Sequence, residues 1–216
     1  MRSIGSTDHR PALLQRKGSE MNSSKLAAAA SHYKSFCEAL GIPMNTDHSV
    51  DTPMRVARMF HNDFLVGVRE ECPKITTFPV DSMLRDQLVI QCGIRLRSLC
   101  SHHHVPIVGR AHVCYIPGES LLGLSKIARI VRWCAARPCV QEELVHLIKD
   151  TIKSAINPTF IGISVTAEHE CMSCRGVTEP DSLTTTNVFW PSHNEDTRQE
   201  FFLAISHWLQ ARGANR

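Results

Sequence analysis

The first apolar pattern along the chain is helical and follows a polar start. Residues 1–23 are polar and show no period, whereas "SSKLAAAASHYKSFCEALGI" carries apolar side chains at helical spacing. We predict a helix there, with Ser23 or Ser24 as its N-cap and Gly41 at its end. The same contrast predicts a flexible N-terminal tail over residues 1–23.

A second helix is predicted in "DTPMRVARMFHNDFLVGV". We expect Asp51 or Thr52 to cap it, and Pro53 lies in its first turn, where a proline removes no helical hydrogen bond. Together the two helices predict an N-terminal helical hairpin over residues 24–70. Residues 71–86 contain two prolines and mixed polarity, which is typical of a loop.

The apolar period then changes to two. "QLVIQCGIRLRSLC" and "GRAHVCYIP" alternate as half-buried strands do, and "TFIGISVTAEHEC" and "SLTTTNVFW" are also predicted as strands. Helical spacing returns in "SKIARIVRWCAAR", "VQEELVHLIKDTIKSAI" and "EDTRQEFFLAISHWLQARG". Strands and helices with hairpin-like connections predict an α+β fold with an antiparallel sheet. No shift in composition marks a linker, so we expect one domain over residues 24–216, with its α+β core over residues 87–216.

Composition and charge narrow the functional class. The chain has 216 residues, of which 43% are hydrophobic and 6% aromatic, and its formal net charge is +3. This mildly basic balance does not indicate nucleic-acid binding, although local basic clusters can still hold an anionic small molecule. No apolar run reaches the roughly 20 residues that a membrane span needs. We therefore expect neither nucleic acid nor membrane as a partner.

The cysteines and the N-terminus bear on the compartment. Nine cysteines without a secretory leader indicate reduced thiols and a cytoplasmic protein, with Cys37 and Cys134 expected in the core. The N-terminal residues are rich in Arg and Ser, which is typical of an organelle transit peptide. Asp8, Pro11 and Glu20 argue against that interpretation.

Two clusters contain metal-binding side chains. Cys100 and His103 have C-x-x-H spacing, and "HECMSC" contains His169, Cys171 and Cys174. On a strand, His169 and Cys171 would point to the same face. Thiolate and imidazole ligands suit Zn²⁺. These spacings are typical of a zinc site, although polar core histidines and buried thiols without metal are an alternative.

Spacing leaves two kinds of zinc site open. Cys100, His103, Cys171 and Cys174 would close a structural site, whereas a catalytic site would use three protein ligands and a water. His102 and His169 flank the predicted ligands, and an imidazole that titrates near neutral pH is useful for proton transfer. These surplus histidines favour the catalytic arrangement; hydrogen bonding to the ligands is their other possible role.

Several cations have spacing that suits an anion. In "GLSKIAR", Ser125 is a predicted N-cap, and Lys126 and Arg129 follow on one face of the helix start. Cations there oppose the helix dipole unless an anion lies between them. Arg55 and Arg58 repeat the spacing on the earlier helix, and Arg175 follows the second cysteine cluster. Five cations suit a triphosphate, although each basic pair alone is as easily a solvated surface.

The ordered motifs resemble those of the GTP cyclohydrolase I family. The motifs are "DTPMRVARMF", "CSHHHVPIVGRAHVCYIP", "GLSKIARIV", "RPCVQEEL" and "HECMSCRG", and the resemblance covers roughly residues 24–210. It implies the tunnelling fold, an antiparallel sheet that carries helices on one face. It also implies a toroidal homodecamer whose active sites lie between subunits. The implied reaction opens the imidazole ring of GTP, releases formate and recloses the product to 7,8-dihydroneopterin triphosphate.

The resemblance also implies roles for individual residues. Zinc ligands would be Cys100, His103 and Cys171, which leaves Cys174 out. His102 would donate a proton to the purine, and His169 would transfer protons around the ribose. The implied substrate contacts are Glu142 to the guanine edge, Gln141 and Ser125 to the ribose, Lys126, Arg129 and Arg175 to the phosphates, and Arg55 and Arg58 from a neighbouring subunit.

One departure from the family pattern lies beside the ligands. The family has an acidic residue between its cysteine and the two histidines, and this chain has Ser101 there. A serine can still form a hydrogen bond but supplies no charge to an imidazole or water. His104 adds a titratable group where the family has an apolar one. These changes leave open a divergent paralogue that stops at the ring-opened intermediate, or that binds a purine nucleotide or partner subunits around a structural zinc.

Overall fold

A computed structural model describes residues 23–192 and 194–213 of the chain. The predicted N-terminal tail lies outside these residues except for Ser23. None of the helices in the described ranges combines the length and apolar character needed to cross a membrane. Cys37 and Cys134 are both buried, which confirms that they belong to the core.

The N-terminal part is helical, as predicted. Its helices are α1 (Ser23–Ala39), α2 (Thr52–Met59) and the short α3 (Val66–Arg69). Helices α1 and α2 pack against each other, which agrees with the helical hairpin. Beyond the end of α1, Gly41 has a φ of +74°, a left-handed conformation that glycine adopts at helix ends.

Three local details of these helices differ from the prediction. The described part of α1 begins at Ser23, so Ser24 is inside the helix. Asp51 is the N-cap of α2, but its carboxylate makes no capping hydrogen bond and instead pairs with Arg55 at 3.3 Å. After α2 the chain forms a π-helical turn over Phe60–Phe64, so the predicted second helix is interrupted.

A five-stranded sheet forms the centre of the fold. Its strands are β2 (Val89–Cys100), β3 (Pro106–Ile116), β5 (Pro138–Cys139), β6 (Phe160–His169) and β7 (Thr184–Trp190). Their order is β5-β2-β3-β6-β7. All neighbours are antiparallel except the two-residue β5, which is parallel to β2. A separate two-stranded sheet joins β1 (Thr77–Pro79) to β4 (Ser120–Leu122).

Helices cover both faces of the large sheet. Helices α4 (Leu124–Ala135) and α5 (Gln141–Ile156) bury their apolar faces in the main core, which includes Val113 and Tyr115 of β3. Cys114 lies between these two residues and therefore points to the other face. There it packs with Phe201 of α7 (Glu195–Gly213). The α+β class is confirmed, whereas the expectation of helices on one face only is wrong for α7.

Two further corrections concern the candidate site. Gly123, not Ser125, is the N-cap of α4, and no side chain caps this helix. Strand β6 ends at His169, and residues Glu170–Ser173 form a single helical turn, α6. Cys171 therefore does not share a strand face with His169, because the backbone turns between them.

Candidate active site

The ends of two strands bring the candidate metal ligands together. Cys100 is the last residue of β2, and Cys171 lies in α6 just after β6. Both strands pair antiparallel with β3, which begins at Pro106, and its second residue Ile107 pairs with His169. The carboxyl ends of β2 and β6 therefore flank the start of β3, so two segments that are distant in sequence meet there.

One metal ion can reach Cys100, His103 and Cys171. A ligand atom of each residue lies within 4.8 Å of the other two, and His103 Nδ1 is 3.8 Å from Cys100 Sγ. Cys100 is buried, Cys171 is half-buried and His103 is exposed, so the cluster opens towards solvent on one side. Two thiolates and one imidazole are donors that zinc prefers. The residues present fit a zinc ion with three protein ligands.

Cys174 does not join this cluster. Its thiol is exposed and donates a hydrogen bond to the backbone carbonyl of Glu170 at 2.8 Å. Among the described residues, the group of possible metal ligands contains only Cys100, His103 and Cys171. This geometry favours the three-ligand arrangement over a closed four-ligand site.

The two cysteines of the cluster influence each other. Burial raises the pKa of Cys171, and its hydrogen bond and charge interaction with Cys100 raise it further, whereas Arg175 lowers it. Two neighbouring thiols resist becoming two thiolates because the like charges repel. A divalent cation removes this penalty, since metal binding favours the deprotonated forms of both ligands.

The other residues of the "SHHH" segment surround this cluster. His102 Nδ1 is 3.8 Å from Cys100 Sγ, and the His102 and His103 rings contact edge to face. Ser101 is exposed, and its backbone N–H donates to the carbonyl of Cys139 at 3.2 Å. His104 has a φ of +53°, which turns the chain at the end of the segment towards β3.

His169 is held by a hydrogen bond to Gln141. The two side chains meet at 2.8 Å, between His169 Nε2 and Gln141 Oε1. Burial lowers the pKa of His169, and the carboxylate of Glu142 acts in the opposite direction. A lowered pKa favours the neutral imidazole, which is the form that can accept a proton. Glu142 itself is exposed at the start of α5.

The predicted phosphate ligands differ in position. Arg175 contacts the metal cluster directly, with Nη1 at 2.6 Å from His103 Nε2. Lys126 and Arg129 lie in the first two turns of α4. Within the described ranges, none of these three cations forms an ion pair with a carboxylate, so their charges are available to an anion.

The structure does not bring every predicted residue to the cluster. Arg55 and Arg58 lie on α2, exposed to solvent, and Arg55 pairs with Asp51. Ser125 is exposed in the first turn of α4. None of the hydrogen bonds among the described residues joins these three side chains to the metal cluster or to His169.

Sequence reasoning did not single out the residues that hold Gln141. Its amide nitrogen donates to the carbonyls of Val165 and Thr184 and to the hydroxyl of Thr186. Thr184 and Thr186 lie in the run "TTT", which the sequence identified only as part of a strand. The only available signal was the excess of hydroxyl groups on an edge strand.

Comparisons with known proteins give matches over most of the chain. Residues 29–206 match the family described as GTP cyclohydrolase I. The proteins named GTP cyclohydrolase 1 from Salmonella arizonae and Salmonella newport are each 36% identical to this chain over 191 residues, which is 86% of this chain and 85% of the relative. Among solved structures, the archaeosine synthase QueF-Like in the apo form matches with 19% identity and a TM-score of 0.38, over 47% of this chain and 91% of that one.

Proposed function

Because the chain belongs to the GTP cyclohydrolase I family of enzymes, we propose that it hydrolyses GTP to formate and 7,8-dihydroneopterin triphosphate with the help of zinc. The observation that carries this proposal is the Cys100, His103 and Cys171 cluster, whose ligand atoms lie within 4.8 Å of one another. His102 and His169 belong to the same two segments and supply imidazoles beside it. Within pterin synthesis, this step converts the purine ring system into the pterin ring system.

The metal would be held by Cys100, His103 and Cys171. Bound there, zinc would supply Lewis acidity and an activated water at neutral pH. The chain's own contribution is to bring two thiols and an imidazole together at the carboxyl ends of β2 and β6. Arg175, which lies beside His103 in the metal-free protein, adds a positive charge on the same side.

Two histidines are proposed to move protons during the reaction. His102, next to Cys100, would act as the general acid that protonates the purine nitrogen as the imidazole ring opens. His169 would serve the later transfers around the ribose. Its hydrogen bond to Gln141 fixes the position of its ring, and general acid–base catalysis depends on such positioning.

The nucleotide would be bound by residues of α4, α5 and the segment after α6. Glu142 is proposed to accept hydrogen bonds from the guanine edge, and Ser125 to contact the ribose. Lys126, Arg129 and Arg175 would bind the triphosphate; this role is supported because none of them pairs with a carboxylate among the described residues. Arg55 and Arg58 on the exposed face of α2 would reach the site of a neighbouring subunit.

The same proposal includes the oligomeric state of the protein and its cellular compartment. We propose a homo-oligomer, a decamer with active sites between subunits, that acts in the cytoplasm. Residues 24–216 would form one domain preceded by the tail over residues 1–23. The large exposed hydrophobic side chains on α1 and α7, such as Phe36 and Leu203, support burial of these helices in an assembly.

Ser101 favours a second candidate function. Because the serine carries no charge where the family has a carboxylate, a protein that binds GTP and stops at the ring-opened intermediate is the competing proposal. A fully non-catalytic nucleotide-binding ring is its extreme form. The outcomes differ in product: complete turnover yields formate and a fluorescent pterin after oxidation, ring opening alone consumes GTP but leaves C8 on the opened ring as a formamide, and binding alone leaves GTP unchanged.

The test uses zinc-loaded full-length protein incubated with GTP. Formate is assayed enzymatically, and the products are oxidised and separated by chromatography. Equal amounts of formate and neopterin triphosphate support the proposed function. Conversion of GTP to a ring-opened formamide without free formate or neopterin supports the ring-opening candidate, and GTP binding without any conversion supports the non-catalytic one.

A further inference from the structure

The side-chain amide of Gln141 has a single possible orientation. Gln141 is only 1% exposed, and its Nε2 lies 3.1 Å from the Val165 carbonyl, 3.0 Å from the Thr184 carbonyl and 3.1 Å from Thr186 Oγ1. The two carbonyl oxygens can only accept hydrogen bonds, so the amide must present its NH₂ group to them. The flipped amide would place oxygen against oxygen and leave buried carbonyls without donors.

This orientation determines which nitrogen of His169 carries the proton. With NH₂ directed at Val165 and Thr184, the Gln141 oxygen faces His169 Nε2 at 2.8 Å. An amide oxygen only accepts, so Nε2 must donate and must therefore carry the hydrogen. In the neutral imidazole the lone pair is then on Nδ1, and no hydrogen bond to Nδ1 is found within the part of the chain that is described.

We infer that Gln141 is a positioning residue that holds His169 in the tautomer with the proton on Nε2 and a free lone pair on Nδ1. Strand β7 supports it, because the Thr184 carbonyl and the Thr186 hydroxyl fix the amide. This inference rests on the proposed function for its catalytic consequence. It replaces a direct contact between Gln141 and the ribose, since the amide is buried and already engaged by four partners.

The inference separates two roles that a kinetic experiment can distinguish. A residue that binds the ribose directly changes KM and the preference for GTP over 2′-deoxyGTP. A residue that acts only through His169 changes kcat, and its effect disappears when His169 is already absent. Hydrogen-bond partners that orient a metal-bound histidine are typically worth about 10- to 100-fold in activity, and we expect an effect of similar size at His169.

The first test is a kinetic double-mutant cycle on the zinc-loaded full-length protein. We expect Gln141→Met to lower kcat about 10- to 100-fold, with KM changed less than about threefold and the preference for GTP over 2′-deoxyGTP retained. The double variant with His169→Ala should be no slower than His169→Ala alone. A raised KM, a lost preference or additive effects would assign Gln141 to the ribose and overturn the inference.

Strand β7 offers a matched pair of milder variants. Thr186→Val removes the hydroxyl that accepts from Gln141 and should lower kcat about 2- to 10-fold, as the loss of one hydrogen bond does, whereas Thr186→Ser should restore it. Thr185 is the control: its hydroxyl bonds to Thr166 at 2.9 Å, on the other face of the strand, so Thr185→Val should leave kcat unchanged. Equal losses in Thr186→Val and Thr185→Val would contradict the inference.

A spectroscopic test does not depend on turnover. Long-range proton–nitrogen spectra of protein labelled with ¹⁵N-histidine report the protonated ring nitrogen, and the His169 signal is assigned by its loss in His169→Ala. We expect a proton on Nε2 in the wild type and a mixture of tautomers in Gln141→Met. A proton on Nδ1 in the wild type refutes the inference. If the Nε2 result appears in a protein that does not convert GTP, the proposed function fails while the positioning contact stands.

Discussion

Arg175 Nη1 lies 2.6 Å from His103 Nε2, although 72 positions separate the two residues in the sequence. A guanidinium group only donates hydrogen bonds, so Nε2 accepts and the ring proton is on Nδ1, which faces Cys100 Sγ at 3.8 Å. A metal on Nε2 would take the position of the Arg175 hydrogen bond. A metal on Nδ1 would leave the ring proton on Nε2, which could then no longer accept. Either way, a metal held by His103 would remove the hydrogen bond from Arg175.

This relationship predicts that metal binding and nucleotide binding are coupled. Zinc-loaded protein should bind a GTP analogue blocked at C8 more tightly than zinc-free protein, because the released guanidinium becomes available to phosphate. One charge-assisted hydrogen bond is worth about 1.5–3 kcal/mol, or roughly 10- to 100-fold in affinity. Calorimetric titration of both forms measures the ratio.

Arg175→Ala tests whether the Arg175 guanidinium causes the tighter binding of the analogue to the zinc-loaded protein. It should weaken analogue binding to the zinc-loaded protein and remove most of the difference between the two forms. The control is Arg132→Ala, an exposed arginine on the last turn of α4, which should preserve the difference. A full zinc effect in Arg175→Ala would mean that the ion, rather than the guanidinium, attracts the phosphates.

The two cysteines of "CMSC" should respond differently to substitution. Cys171→Ser removes a ligand of the three-residue cluster, so we expect it to lose bound zinc and at least 100-fold in activity. Cys174→Ser should retain one zinc per chain and near-normal turnover, because among the described residues its thiol bonds only to the Glu170 carbonyl. Zinc is measured by elemental analysis after dialysis, and equal zinc loss in both variants would restore the four-ligand site.

Much of this fold could be predicted from local sequence alone. The period-two segments became β2, β3, β6 and β7, and the helical segments became α1, α4, α5 and α7, because alternation and helical spacing each select one element type. Short clusters of metal-binding residues also predicted Cys100, His103, Cys171 and Cys174 as candidate ligands, and only the family resemblance left Cys174 out; the structure brings the ligand atoms of the first three within 4.8 Å of one another.

Features that depend on tertiary contacts could not be predicted in this way. Helix α7 has apolar side chains around its circumference, such as Phe201, Phe202 and Leu209, so its sequence does not specify which face of the sheet it covers. The helical turn that contains Cys171 is only four residues long, too short for a periodic signal. The amide of Gln141 is fixed by Thr184 and Thr186, which are 43 and 45 positions away.

Gly93 should be intolerant of any side chain. It has a φ of +74° in the irregular part of β2, and an added Cβ would lie 2.2 Å from the Trp208 ring. We expect Gly93→Ala to lower the free energy of unfolding by about 2–4 kcal/mol, from left-handed strain and displacement of Trp208. Denaturant titration measures the change.

Gly41 is the matched control for Gly93. It has the same φ of +74°, but no atom of the described residues lies within 4 Å of an added Cβ. Gly41→Ala should therefore cost only the strain, about 1 kcal/mol. Equal losses in both variants would show that the contact with Trp208 contributes nothing.

His112 should make the free energy of unfolding decrease as the pH falls from 6.5 to 4. It is buried against Trp208, and burial, together with the charge of Arg110, lowers its pKa to about 4. The unfolded chain takes up a proton near pH 6.5, whereas the folded chain does so only near pH 4. The contribution of His112 is therefore complete above pH 6.5 and decreases by up to about 3 kcal/mol towards pH 4.

The comparison for His112 is His112→Gln, which keeps a polar side chain that does not titrate. The difference in unfolding free energy between the wild type and this variant should change with pH between 6.5 and 4, to the disadvantage of the wild type at lower pH. Denaturant titrations at several pH values measure it. A difference that does not vary with pH would mean that folding does not lower the pKa of His112.

The central claim is that this chain converts GTP completely with a zinc ion held by Cys100, His103 and Cys171. The most direct measurement incubates zinc-loaded protein with GTP and quantifies formate and oxidised neopterin triphosphate, with Cys171→Ser beside it. We predict both products in equal amounts from the wild type and neither from the variant. Absence of neopterin from fully zinc-loaded wild type, or unchanged turnover by Cys171→Ser, would contradict the claim.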